Sequence, residues 1–279
     1  MGFVTCATLA AAGDGQGPGV GSVDSGDARA DERQRQEDDD RVLTRRIFGW
    51  SRLLAAVVCV VALVHRMLWG MGAQTVAGDN FFAYLTIQSN TAFAALALVA
   101  GVIALRTDED PAWLTTARAL VLSWTITAGL AFALIVWQAG VRGIPITVPW
   151  SDVVLHFVLP AWSVAAWVLG PGRRGAPWRV VPFVLLYPLL WGVFTIWRGS
   201  VIGWYPYYFL DPRQVSGIVE MVLSSLVALS IFAFVATALV LLSRLRPTAG
   251  DGAVTALARP EPARRTPVTP VRRPSHPGH

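Results

Sequence analysis

The sequence predicts an all-α integral membrane protein with six transmembrane helices, and three observations carry that prediction. Of its 279 residues, 54% are hydrophobic and only 15% charged, with a mean hydropathy of +0.50. A water-soluble domain of this length does not combine so much apolar surface with so few charges. Six apolar stretches lie near residues 47–70, 81–105, 116–139, 151–169, 178–198 and 217–243. Most approach or exceed the ~20 residues that a helix needs to cross ~30 Å of hydrocarbon. Finally, the arginines are distributed unevenly between the connections, as the topology of a membrane protein requires.

Residues 1–42, rich in Gly, Asp, Ala and Ser and ending in the charge run Arg33 to Arg41, read as a disordered tail. The weak apolar stretch Ala7–Ala12 has no basic region before it, so it is not a signal peptide. Residues 43–246 form the six-helix domain. The first stretch contains Cys59, a small hydrophobe in this setting, and Cys6 lies far from it in the tail, so no disulfide framework or thiolate metal site is expected. The fourth stretch is the shortest and carries Asp152 and His156. Residues 247–279, rich in Pro, Arg and Ala, read as a second disordered tail.

An even number of spans puts both tails on one side. Arg41, Arg45 and Arg46 precede the first span, Arg106 and Arg118 flank the second connection, Arg173, Arg174 and Arg179 crowd the fourth, and Arg244 and Arg246 follow the last span. The other connections hold mainly Arg142, Arg198 and Arg213, with Arg66 just before the first of them. The positive-inside rule therefore predicts cytoplasmic termini in the cell membrane, with Trp69, Trp150 and Trp204 at the opposite, outer boundary. The net charge of +5 comes from arginines beside apolar segments, so no nucleic-acid partner is expected. Membrane lipids or an acyl-chain substrate are the expected partners, and the sequence names no protein partner. All 23 basic residues are arginine, which excludes lysine chemistry and points to a GC-rich bacterial genome.

Polar residues inside spans carry the functional information. Spans two, four and six run in the same direction, and Thr86, His156 and Glu220 fall five, five and three residues past Phe81, Ser151 and Gly217. A rise of 1.5 Å per residue puts all three roughly 5–8 Å below the outer boundary. Thr86, Ser89 and Asn90 form one stripe at i, i+3 and i+4 that faces other helices. Asp152 stands four residues before His156, at the spacing where its carboxylate can orient the imidazole. Pro160 removes the hydrogen bond to the His156 carbonyl and predicts a kink there. Asp79 or Asn80 can cap span two and Ser151 span four, leaving helix N-termini that suit a carboxylate or an oxyanion.

Two accounts of these residues stand side by side. In the first, Thr86 is a nucleophile activated by His156 with Asp152 as orienting group. In the second, Thr86 bonds its own backbone at i−4, Asp152 and Glu220 reach water from the boundary, and the stripe glues helices together. A non-catalytic protein that binds or moves a lipid or small apolar solute needs the same polar cavity. A purely structural subunit would lose stability, and no separate function, on Thr86→Val. No Cys-x-x-Cys-His, Walker loop, Gly-x-Gly-x-x-Gly or Gly-x-Ser-x-Gly occurs within the spans, and the two span histidines, His65 and His156, lack a second pair for haem. His276 and His279 end the tail without a metal-site context. No cofactor and no metal are therefore expected.

Three features in this order carry a resemblance: Tyr84-Leu85-Thr86 at the start of span two, Asp152 with His156 on span four, and the loop Gly203-Trp204-Tyr205-Pro206-Tyr207-Tyr208-Phe209-Leu210-Asp211 before span six. On a six-helix chain they resemble the androgen-induced, androgen-dependent family of integral membrane hydrolases, over roughly residues 43–243. Asp152 stands where that pattern has an Asn-like residue, and the step from His156 to Pro160 is one residue shorter. The resemblance implies a hydrolase of long-chain fatty acyl esters with Thr86 as nucleophile and His156 as base. In that reading backbone N–H groups or Asn90, beside Ser89, stabilise the oxyanion. Arg198 pairs with a fatty-acid carboxylate or snorkels to headgroups, the Trp204 loop covers the site or anchors at the interface, and Glu220 lines the cavity.

Overall fold

The computed structural model describes residues 25–72, 78–143, 145–171 and 174–244. The described residues contain no strand and include six helices long and apolar enough to cross a membrane. These are α1 (Ser25–Gly72), α2 (Leu85–Arg106), α3 (Ala112–Val141), α4 (Trp150–Leu169), α5 (Val180–Ile202) and α6 (Ile218–Arg244). Each expected stretch maps onto one helix. Helix α2 begins later than expected, because Gly78–Ala83 forms a 3-10 turn and Tyr84 is extended before the helix starts. Large apolar side chains such as Leu54, Val57, Val61, Phe194 and Phe234 are exposed along these helices. A water-soluble fold would bury them, and a lipid-facing one presents them outward. The chain is a multi-pass helical membrane protein.

The chain divides into two compact units, Met1–Leu43 and Thr44–His279. In the first, the charge run expected to belong to a tail is helical from Ser25 onward. Its Arg, Glu, Gln and Ala residues are good helix formers, and Arg41 pairs with Glu37 at 3.9 Å and Asp38 at 3.5 Å, one turn away. The expectations for residues 1–24 and 247–279, Cys6, Arg173, Arg246, His276, His279 and the Asp79 side chain lie outside the described residues.

In the second unit, α3 packs against α2, α4, α5 and α6. Trp124 Nε1 on α3 donates to the Val184 carbonyl of α5 at 3.0 Å, and Trp167 Nε1 on α4 to the Leu239 carbonyl of α6 at 3.1 Å. Small residues close the α1–α2 seam: a Cβ on Gly101 would stand 2.7 Å from Leu53 and 3.0 Å from the Gly49 carbonyl.

Helix α4 has a break that positions the site. Val154–Val158 forms a π-helical turn between α-helical segments Trp150–Val153 and Leu159–Leu169, and the Leu159 N–H reaches back to the Val154 carbonyl. Pro160 has no N–H for the His156 carbonyl, so the ladder slips by one residue where the sequence predicts a kink. The freed carbonyl lies against Gly129 of α3, where a Cβ would stand 2.3 Å from its oxygen. Only glycine permits that approach.

Candidate functional site

A cavity of about 440 Å³ opens among α1, α3, α4, α5, α6, the start of α2 and the loop before α6, and its wall is mostly apolar. Thr86 and His156 both line it, together with Arg66, Thr127, Asp152 and Tyr207. Of the three residues singled out by their common depth, Thr86 and His156 therefore share one chamber, and Glu220 does not line it. No hydrogen bond joins them.

His156 is buried and held from two sides. Its Nδ1 lies 2.9 Å from the Asp152 main-chain oxygen, and its ring stacks on Phe132 with centroids 3.9 Å apart at 14°. A carbonyl can only accept, so Nδ1 carries the hydrogen and Nε2 of the neutral ring keeps its lone pair. Asp152 thus orients the imidazole through its backbone, not through the expected carboxylate. That carboxylate is engaged elsewhere: Arg66 Nε stands 2.8 Å from Asp152 Oδ1. Arg66 also lies over Trp69, 5.2 Å from the ring centroid, and its Nη1 is buried without a partner.

Thr86 is the second residue of α2, and the residue four before it, Phe82, lies outside the helix. The backbone bond that occupies Thr91 toward Ile87 at 2.8 Å, and Thr125 toward Val121 at 3.0 Å, has no counterpart there. The Thr86 side chain and the Leu85 and Thr86 N–H groups instead face the Tyr207 hydroxyl. Burial pushes the Tyr207 phenol above its usual range, against the pull of those donors, so it stays protonated and able to donate. Tyr207 is wedged by edge contacts with Tyr84 at 6.0 Å and Trp191 at 5.8 Å. The loop carrying it is latched at its far end. Asp211 accepts from Arg213 Nε at 2.9 Å and from Gln214 Nε2 at 2.9 Å, while Arg213 Nη2 donates to the Gly203 carbonyl at 2.8 Å. These bonds hold the Asp211 carboxyl well below the usual carboxylate range.

The other expected site residues lie away from the cavity wall. Ser89 Oγ and Asn90 Nδ2 both donate to the Thr86 carbonyl, at 3.0 and 2.9 Å, and both side chains are buried between helices. Arg198 Nη2 donates to Asn80 Oδ1 at 2.6 Å and its guanidinium lies over Trp204, 5.7 Å from the ring centroid. Trp204 itself packs edge-on to Tyr84 at 5.7 Å. Glu220 accepts the Ser216 N–H at 2.6 Å and so caps its own helix rather than lining the cavity. The expected caps are also replaced. Neither α2 nor α4 has a side-chain cap: Asn80 is taken by Arg198, and the Ser151 hydroxyl lies 3.0 Å from Nδ1 of His65.

Three residues complete the wall without having been singled out. Thr127, buried with an unpartnered Oγ1, sits on the face of α3 that also carries Phe132. Arg66 lies three residues before the boundary marker Trp69, one turn inside it, which was a usable signal. Tyr207 was visible only as part of an aromatic loop. Compared with known proteins, the chain matches no family model, no curated protein and no solved structure.

Proposed function

We propose that this cavity is the active site of an integral membrane hydrolase that cleaves a long-chain fatty acyl ester through Thr86 and His156. The observation that carries the reading is that Thr86, whose i−4 residue lies outside its helix, shares an apolar chamber with a histidine whose Nε2 lone pair is free. In the reaction, Thr86 Oγ attacks the ester carbonyl while His156 Nε2 takes the hydroxyl proton. The tetrahedral oxyanion is met by Arg66 Nη1 and the Tyr207 hydroxyl. Collapse expels the alcohol, which leaves with the proton from His156. Water, activated by the same nitrogen, then frees the acyl chain from the threonine.

The local charge favours an ester over a free acid. Arg66 and Asp152 balance one another, so the chamber carries no excess charge to hold a carboxylate. About 440 Å³ with a mostly apolar wall suits an acyl chain. The arginine bias supports a cell-membrane orientation with both termini cytoplasmic, which puts Thr86 near the outer leaflet.

A second reading, binding or transport of a lipid without chemistry, is favoured by one contact: Thr86 faces Tyr207 and makes no hydrogen bond to His156. Labelling of the detergent-purified protein by a long-chain fluorophosphonate separates the two. Wild type is expected to label, with Thr86→Ala and His156→Ala both silent at an unchanged size-exclusion profile. An unlabelled, well-folded wild type moves the reading to binding, and labelling that survives Thr86→Ala removes threonine as the nucleophile.

A further inference from the structure

We propose that the large chamber opens sideways into the bilayer beside α6, and that one acyl chain of a membrane lipid enters it there. The proposal rests on the reading of that chamber as a lipid site and adds where its occupant comes from. In the halves remote from Thr86, α3, α5 and α6 are tightly packed, with Ala119, Leu122, Val180, Val184, Ala236 and Leu239 in one buried cluster. The halves beside the chamber are not. Along α6, none of residues 218–231 is buried, whereas Phe232, Val235, Ala236, Leu239 and Val240 are. On α5, none of residues 189–194 is buried. Pro188 marks the change on that helix. It has no N–H for the Val184 carbonyl, which accepts from Trp124 Nε1 instead, at 3.0 Å. Beyond it, α5 passes from packed helix to chamber wall.

The chamber wall and the lipid-facing surface share residues. Leu189 and Val193 of α5 line the chamber and are 50% and 63% exposed, and Ile135 of α3 lines it at 40%. A side chain that lines an interior and also faces lipid stands at an opening. Gly192, between the two α5 residues, keeps that opening clear, because a Cβ there would meet open space to 4 Å. The route from water is covered. Tyr207, Phe209 and Leu210 of the loop between α5 and α6 line the chamber, and the bonds of Arg213 to Asp211 and to the Gly203 carbonyl latch that loop. An acyl chain that slides between two apolar surroundings never exposes its methylenes to water, as a passage through the loop would require. Its ester then comes to rest at the polar end of the chamber, near Thr86 and the unpartnered Arg66 Nη1.

The test uses the full chain in phosphatidylcholine vesicles that carry a trace of phosphatidylcholine with a photoreactive diazirine midway along one acyl chain. After irradiation, the adducts are mapped by peptide mass spectrometry. Lipid-facing Val61 and Val64 of α1 report ordinary contact with the bilayer. Adducts are also expected on Thr127, His156 and Phe232, chamber residues that are only 3–7% exposed. Gly192→Phe, which fills the opening, is expected to lower the chamber adducts about tenfold and to leave those on Val61 and Val64 unchanged. Gly192→Leu, a smaller plug, should lower them less. Wild-type adducts confined to lipid-facing residues overturn the proposal, and so do chamber adducts that Gly192→Phe leaves unchanged. Cross-linking needs no turnover, so chamber adducts on a protein that no fluorophosphonate labels keep the opening and remove the hydrolase.

Discussion

The two ends of the bundle solve the problem of buried arginine in opposite ways. Near Thr86, Arg66 meets a single carboxylate, Asp152, and the charges cancel beside a chamber of about 440 Å³. Near Arg45, three arginines share Asp110, and the space beside them is about 30 Å³. What is spare therefore differs. The Thr86 end has spare hydrogen-bonding atoms, Arg66 Nη1 and Thr127 Oγ1, beside one balanced ion pair, whereas the spare atoms of the Arg45 end, Arg52 Nη2 and Ser163 Oγ, lie beside a carboxylate shared by three arginines. A chamber of the first kind suits a bulky neutral ligand with a polar centre.

Removing each carboxylate tests the contrast most strongly. Asp110→Asn removes the carboxylate that three buried guanidinium groups share, and we expect a loss of about 3–5 kcal/mol, the cost typical of breaking a buried pair. Asp152→Asn leaves one guanidinium that is 21% exposed, so its loss should be clearly smaller. Equilibrium unfolding of both variants in mixed detergent checks the order, and equal losses would break the comparison. Thr127→Val is the next test. It replaces an unpartnered buried hydroxyl by a methyl of similar size, so stability should hold or rise by up to about 1 kcal/mol. Ester turnover or fluorophosphonate labelling should nevertheless fall about tenfold if that hydroxyl helps to hold the reacting group. A variant with unchanged labelling would place Thr127 outside the reacting region.

The smallest effect is expected at the loop latch. The Asp211 carboxyl titrates below its unfolded range, so its contribution to stability is complete above about pH 4 and fades as the pH drops further. Asp211→Asn should therefore lower the melting temperature slightly at pH 7 and flatten its decline below pH 4. A melting difference between the two proteins that persists unchanged at pH 2 would contradict the assignment.

The spans were legible because hydropathy adds up over some twenty residues, and errors at single positions cancel. Thr86 and His156 were legible as a pair because both open helices that run in one direction, so counting from the boundary gives their depth. Partner choice was not legible. Ser151 looks like a helix cap until His65 of another helix takes its hydroxyl, and Asp152 looks like the partner of His156 until Arg66 takes its carboxylate. Glu220 shared the expected depth yet turned to the free N–H of Ser216, a local bond that depth alone does not reveal. Thr127 was hidden for a further reason. Its neighbours are ordinary core residues, and its distinction is the lack of a backbone bond that Ser123 and Thr125, on the same helix, do make.

The slipped turn at Val154–Val158 also has an effect on phase. One residue in an α-helix subtends about 100°, so an extra residue turns everything after it by about that angle. Helix α4 is thereby two rods set at different azimuths, one presenting Asp152 to the large chamber and the other presenting Ser163 to the small one. A one-residue deletion within that turn would keep both rods helical and shorten the whole by only about 1.5 Å. It would still swing one chamber's residues out of place by about 100° relative to the other's, so a single surplus residue sets how one span furnishes two rooms.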